Sequence, residues 1–230
     1  MRQTLHSFSN AAALDRALAD FVALQLRDVI SEHGRATLVV SGGRTPIGFF
    51  EQLREQSLAW NKVSITLADE RWVDESGTDS NAHLVRTHLL QGAAASANFI
   101  PLFYPADTPN ESAQHASNAL DKLPSPFDVV VLGMGEDGHT ASIFPDSPQL
   151  SAALNDNAAC IAVEGSKPPP QRLTLTAPRL RQARHIVLHI TGEKKWQVLG
   201  QALSEESVEC FPIRAMLCTE HSSRHVFWTR

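Results

Sequence analysis

The chain has 230 residues, of which 43% are hydrophobic and 20% charged, enough to bury a core in one large α/β domain or two small ones without disulfide or metal staples. Its formal net charge of -5 argues against a nucleic-acid partner while still allowing a local basic pocket. Cys160, Cys210 and Cys218 are widely spaced with no CxxC pair, so neither a disulfide framework nor a zinc knuckle is expected, and the thiols read as reduced, cytoplasmic ones. No apolar run approaches the length of a membrane span, and the opening MRQTLHSFSN lacks the apolar centre of a signal peptide, so no membrane association is expected.

In chain order, Ser9 is placed to cap a helix that runs to about His33, with Leu14, Leu18, Phe21, Leu24 or Gln25, and Ile30 on its buried face and Gly34 as its stop. Ala36 to Val40 is a short apolar strand that runs straight into Ser41-Gly42-Gly43-Arg44-Thr45-Pro46. A helical pattern then resumes from Ile47 to Arg54, with Thr45 as cap and Pro46 as first helical residue. Lys62 to Ala68 predicts a strand ending in the charged run Asp69-Glu70-Arg71-Trp72. Thr78 to Leu90 and Pro109 to Leu123 read as helices, and Asn98 to Phe103 as a strand between them. Asp128 to Leu132 is β-branched and apolar, the pattern of a strand covered on both faces.

Later in the chain, Ala158 to Val163 and Arg172 to Thr176 predict strands. Between them lies a Gly165-to-Pro170 loop whose three prolines cannot join a central ladder. Pro178 opens a short helix, His185 to Ile190 is a strand, Gly192 leads into a helix through Leu203, and Val226 to Trp228 closes the chain as a strand. Strands alternating with helices, with no repeat and no linker, predict a single α/β domain over residues 1–230 built on a mostly parallel sheet with helices on both faces.

Two loops carry the chemistry. Strand, glycine turn, helix at Ser41–Pro46 aims free backbone N–H groups at an anion, but it matches neither GxGxxG nor GxxxxGK[ST], so dinucleotide and P-loop readings fail. Ser41, Arg44 and Thr45 suit a phosphate or a sugar hydroxyl. The second loop follows Leu132, where Gly133, Gly135 and Gly138 frame Glu136, Asp137 and His139 at a strand's carboxyl end, the edge at which open α/β sheets hold ligands. His139 is the candidate acid/base group, with Asp137 two residues back to orient the imidazole or raise its basicity. Arg44, Arg71, Lys167, Arg172, Lys194 and Lys195 all fall in loops or at strand ends, and together could form a pocket for a dianionic phosphate. His185 with His189, and His221 with His225, are each four apart, but no HExxH or third ligand accompanies either pair, so no metal is expected. A GxSxG elbow is absent, which removes a covalent serine mechanism.

Taken together, LVVSGGRTP (38–46), ITLADERWV (65–73), SNAHLVRTHLL (80–90), FDVVVLGMGEDGHTASIFP (127–145), KPPPQRLTLT (167–176) and HIVLHITGEKK (185–195) resemble the 6-phosphogluconolactonase family, in family order and over most of the chain. The resemblance implies a single Rossmann-like α/β domain that hydrolyses 6-phospho-D-glucono-1,5-lactone with no metal or other cofactor. It implies His139 as the base that activates water, Asp137 as its support, and Arg71 and Lys167 as ligand-binding charges. Ser41, Gly42, Gly43, Arg44 and Thr45 would then line the sugar phosphate, with Asp69, Arg172 and Lys195 as further binding residues. The partner is a small sugar-phosphate lactone, for a monomer or homodimer. The related glucosamine-6-phosphate deaminases share the glycine loop and the Asp-Gly-His element but continue to a carboxylate five residues after the histidine, where this chain has Phe144. A non-catalytic sugar-phosphate sensor is the remaining alternative, and it would have no use for both Asp137 and His139.

Overall fold

The computed structural model describes residues 3–165, 168–204, 207–218 and 222–230. In chain order the elements are β1 (Thr4–Phe8), α1 (Ala11–His33), β2 (Ala36–Val40), α2 (Ile47–Arg54), β3 (Val63–Leu67), β4 (Asp69–Arg71), α3 (Asn81–His88) and β5 (Asn98–Ile100). There follow α4 (Pro109–Leu120), β6 (Val129–Leu132), α5 (Leu150–Asn155), β7 (Cys160–Glu164), β8 (Gln171–Leu175), α6 (Ala177–Arg181), β9 (His185–Thr191), α7 (Glu193–Ser204), α8 (Arg214–Leu217) and β10 (Ser223–Thr229).

Seven strands form one parallel sheet in the order β1-β10-β9-β6-β2-β3-β5. From β2 the chain winds outward through β3 to β5, and from β6 it winds the other way through β9 to β10. The direction therefore reverses between the adjacent strands β2 and β6, which opens a crevice at their carboxyl ends. Every residue of β2 and β6, and the five interior residues of β9, are buried. Successive side chains on a strand point to opposite faces, so both faces of the sheet are covered. The Rossmann-like, mostly parallel architecture read from the sequence is the architecture observed.

At the amino ends of the same two strands the packing is closed. The backbone N–H and the hydroxyl of Thr37 both donate to Asp128 Oδ2 at 2.8 Å, the Asp128 N–H donates back to the Thr37 hydroxyl at 2.8 Å, and Arg184 Nε lies 3.3 Å from Asp128 Oδ1. A buried carboxylate satisfied in this way locks the register of β2 against β6.

Several elements differ in detail from their sequence pattern. The cap of α1 is Asn10, whose Oδ1 accepts the Ala13 N–H at 2.9 Å, rather than Ser9. Gly34, at φ 76°, ends that helix as expected. The buried stripe of α1 runs through Leu14, Leu18, Val22, Leu26 and Val29, whereas Leu24 is 48% exposed. On a 3.6-residue helix Leu24 falls on the side opposite Val22. Helix α2 begins at Ile47 with Pro46 at the cap position and no side-chain cap bond, one residue later than the Thr45/Pro46 pattern suggests. Helix α3 begins at Asn81, capped by Ser80, whose hydroxyl accepts the His83 N–H at 3.1 Å. The strand β1 and the short helices α5 and α8 carry too weak a periodic pattern to be read in advance.

The largest departure concerns Asp69-Glu70-Arg71. These residues form β4 of a second, antiparallel sheet in the order β4-β8-β7, in which Arg71 lies directly opposite Arg172. Ala68 bridges the two sheets, donating its N–H to Val40 O at 2.8 Å and accepting the Leu175 N–H at 2.9 Å.

Candidate active site

Glu70 explains why a charged run becomes a buried strand. It is fully buried, and its carboxylate accepts the backbone N–H groups of Arg71, Asn81 and Ala82, each at 2.7 Å, and the Ser80 hydroxyl at 3.0 Å. The acid thus caps the first turn of α3 while holding β4 in place. Burial pushes its pKa up, and these hydrogen bonds oppose the rise.

Asp69, one residue earlier, points to the crevice. Its Oδ2 accepts the Ser142 hydroxyl at 2.6 Å, and its backbone oxygen accepts the Asn81 amide at 2.8 Å. A Cβ on Gly42 would stand 1.9 Å from Asn81 Oδ1, so the Ser41–Pro46 loop approaches β4 and α3 this closely only because the residue there is glycine. The sequence pattern discloses neither Asn81 nor Ser142 as a site residue. Asn81 lies within the SNAHLVRTHLL segment, but nothing in that pattern marks it as facing Gly42.

The loop after β6 is organised around His139. Its Nδ1 and the Asp137 carboxylate stand 2.5 Å apart, and its backbone N–H donates to the same Asp137 oxygen at 3.2 Å. Burial works to raise the Asp137 pKa, but the hydrogen bonds and the attraction of His139 outweigh it and hold the carboxyl at about 2. A Cβ on Gly135 would meet His139 Nδ1 at 2.1 Å and Asp137 Oδ1 at 2.4 Å, so the close Asp–His approach requires the glycine. The Thr140 hydroxyl donates to Gly133 O at 2.9 Å, which ties the loop back to the strand end. Ala141 then adopts φ 50°, a left-handed conformation that costs free energy for a residue with a side chain. The chain turns there, and Phe144 returns with its ring centroid 4.6 Å from that of His139.

These parts enclose a cleft of about 320 Å³ over the carboxyl ends of β2, β6 and β9. Ser41, Gly42, Gly43, Arg44, Thr45, Asp69, Arg71, His139, Arg172 and Lys195, all anticipated from the sequence, line it. Asp137 reaches the cleft through its bond to His139, and Lys167 lies outside the described residues. Arg71 Nη1 donates to Asp79 O, and Arg71 Nε is buried with no hydrogen-bond partner among the described residues. Arg172 Nε donates to Pro169 O at 2.8 Å. Burial lowers the Arg172 pKa, with Asp69 opposing the shift and Arg71 adding to it. Lys194 is engaged by Glu136 in an ion pair, whereas Lys195 turns into the cleft, its pKa lowered by burial against the pull of Glu136.

The spacing of His189 with His185 marks it only as a candidate metal ligand, yet it also lines the cleft. His185 instead meets Phe21 and His225. Among the described residues no group of three or more His, Cys, Asp or Glu side chains is arranged to hold a metal ion. Cys160 is buried away from the cleft in β7, and burial pushes its thiol up to about 12, so it is no nucleophile.

A cleft at the winding reversal, lined by an oriented histidine and by cations from the antiparallel sheet and from α7, is equipped to bind a phosphorylated ligand and to move a proton. Comparison with known proteins points the same way. Residues 9–228 match the family described as glucosamine-6-phosphate isomerases/6-phosphogluconolactonase. The chain is 47% identical to a 6-phosphogluconolactonase of Pseudomonas aeruginosa over 93% of this chain and 90% of that one, and 43% identical to one of Rhizobium meliloti over 99% of each. The crystal structure of a 6-phosphogluconolactonase from Shewanella baltica superposes with a TM-score of 0.97 at 43% identity, covering 100% of this chain and 98% of that one. The chain belongs to the glucosamine-6-phosphate isomerase/6-phosphogluconolactonase family.

Proposed function

We propose that the protein hydrolyses 6-phospho-D-glucono-1,5-lactone to 6-phospho-D-gluconate, with His139 activating the attacking water and no covalent intermediate. The observation that carries this reading is the Asp137–His139 pair at the edge of a cleft also lined by Arg71, Arg172, Lys195 and the Ser41–Pro46 loop. The lactonases to which the chain is similar over nearly its whole length support the choice of substrate.

Asp137, held at about 2, is ionised at neutral pH and can only accept, so Nδ1 of His139 carries the hydrogen between them. Nε2 is then the free lone pair, which makes it the base. The phosphate is held by Lys195, Arg44, Arg172 and the N–H groups of the Ser41–Pro46 loop, which sets the C1 carbonyl beside His139. Water bonds to C1 as its proton passes to Nε2, and the carbonyl electron pair moves onto oxygen to form a tetrahedral oxyanion. Arg71 supplies the positive field for that oxyanion. The C1–ring oxygen bond then breaks, and the proton on Nε2 goes to the departing ring oxygen, leaving the carboxylic acid and a hydroxyl. Phe144, packed on His139 where a deaminase would carry a carboxylate, offers no second acid for isomerising an amino sugar.

The test is lactone hydrolysis, corrected for spontaneous opening, assayed beside glucosamine-6-phosphate deamination. Hydrolysis without deamination is expected, and deamination without hydrolysis would refute the reading. His139→Ala lowers turnover by about 10²–10⁴ with product affinity kept; unchanged turnover in the folded variant would remove His139 as the base.

A further inference from the structure

The cleft holds a second histidine whose chemistry the proposed mechanism leaves unused. His189 is 3% exposed, lines the cleft, and has no hydrogen-bond partner at Nδ1 or Nε2 among the described residues. A buried imidazole left without partners on both nitrogens costs free energy, and such exceptions call for an explanation in ligand binding or strain.

Its surroundings give one. Gly133 follows Leu132, whose β9 partner Leu188 precedes His189, so Gly133 and His189 are neighbours across the two strand ends. A Cβ on Gly133 would meet nothing within 4 Å, so there is open space beside the ring. On one side, Asp15 of α1 brings Oδ1 to 3.6 Å from Nε2, beyond hydrogen-bond range but close enough for strong attraction to an imidazolium. Behind it, Phe49 of α2 meets the ring edge-on with centroids 6.2 Å apart. Toward the cleft, Lys195 of α7 acts on the ring as a like charge. Glu51 of α2, itself 3.1 Å from His88 Nδ1 of α3, acts on Asp15, and Glu136 acts on Lys195.

We propose that His189 is a binding residue of the phosphate site, neutral in the free protein and protonated when a phosphate ester dianion occupies the cleft, with the imidazolium held between the phosphate and the Asp15 carboxylate. One proton is taken from solvent as the ligand binds, and it is returned on release. The inference rests on the proposed function in that it needs the cleft to take a phosphate ester. In the free protein burial, and then Lys195, hold His189 at about 4, so at neutral pH it has no proton to start with. Burial, and then Glu51, raise Asp15 to about 6, so above that pH it is a carboxylate ready to serve as counter-ion. A dianion between Lys195 and His189 reverses the sign of the field at the ring.

Calorimetric titration with 6-phosphogluconate at pH 7.5 in buffers of different ionisation enthalpy reads the proton directly, since the ester is itself dianionic there, its second pKa being about 6. The experiment uses His139→Gln protein so that His139 contributes no proton. Net proton uptake is expected in that variant, and its loss on adding His189→Gln, with affinity lower by about tenfold or more. Asp15→Asn is the second variant, since it keeps the shape of the pair and removes the counter-ion, and it should reduce the uptake. A residue that merely packs against Phe49 would shift thermal stability and leave the buffer dependence untouched. Unchanged uptake in both variants overturns the role of His189 while leaving the proposed function standing. Absence of 6-phosphogluconate binding in the wild type would refute both.

Discussion

Two histidines line the cleft, each with an aspartate beside it, and the two pairs differ in distance and solvation. Asp137 and His139 lie within one loop, 2.5 Å apart and half-exposed, and their attraction drives the carboxyl down to about 2. Asp15 and His189 come from α1 and β9, 3.6 Å apart and largely buried. Burial there raises the acid to about 6 and lowers the base to about 4. The first pair is strongly polarised before any ligand arrives and has one free nitrogen, as a general base requires. The second is neutral at the imidazole and poised to charge. The two carboxyls thus shift in opposite directions because solvation and distance, not identity, decide which influence wins.

Breaking the outer pair should have the largest effect. Asp137→Asn can turn its amide NH₂ toward Nδ1 and place the ring hydrogen on Nε2, so turnover should fall by a factor approaching that of His139→Ala, about 10²–10⁴. Steady-state assays with product affinity measured in parallel check this, and a variant with wild-type turnover would show that tautomer control is unimportant. Gly135→Ala tests the same pair by geometry alone, because its Cβ would occupy space within 2.1 Å of Nδ1. A displacement of His139 by about 1 Å should cost about 10²-fold in turnover, while the imidazole and carboxylate both remain present.

The inner pair should show itself in stability before it shows in rate. The folded-state pKa of Asp15, about 6, lies above the ordinary 3.8. The folded chain therefore binds more protons between those values, and stability falls as pH rises through that window. Asp15→Asn lacks this deficit. It should melt a few degrees higher than the wild type above about pH 6, with the gap closing as pH falls toward 3.8, in a series of thermal melts. A variant that is less stable at neutral pH would show instead that the Asp15 carboxylate is a net structural asset.

The smallest expected effect concerns the histidines on the acid side. His189 and His225 are both held at about 4, below the ordinary 6.5, His225 by burial and then by His6 and His185. The unfolded chain binds more protons between about 4 and 6.5, so each group removes stability as pH falls through that range. His225→Phe should flatten the acid limb of a stability-versus-pH curve without abolishing it, since His189 remains. An unchanged slope would mean that His225 is solvated rather than buried among His6, His185 and Phe21.

Much of this was legible in the residues themselves. The β-branched runs of β2, β6 and β9, each followed within two residues by glycine, named the parallel sheet and its functional edge, because a strand buried on both faces reads as a nearly continuous apolar run. The GEDGH loop likewise disclosed Asp137 and His139, since a contact between residues two apart needs only local geometry. What stayed hidden depended on chain-distant neighbours. Nothing local marks Asp69-Glu70-Arg71 as a strand, because Glu70 is stabilised in burial by the helix start at Ser80–Ala82, and Arg71 meets Arg172 only through the small antiparallel sheet. His189 was visible as an apolar-strand histidine, but its meeting with Asp15, 174 positions earlier, was not. By itself the sequence determined the central strands, where glycine breaks them and which loop carries the Asp137–His139 pair. Tertiary structure alone decided which charges converge and how each titrates, because those properties depend on burial and on distances between segments far apart in the chain.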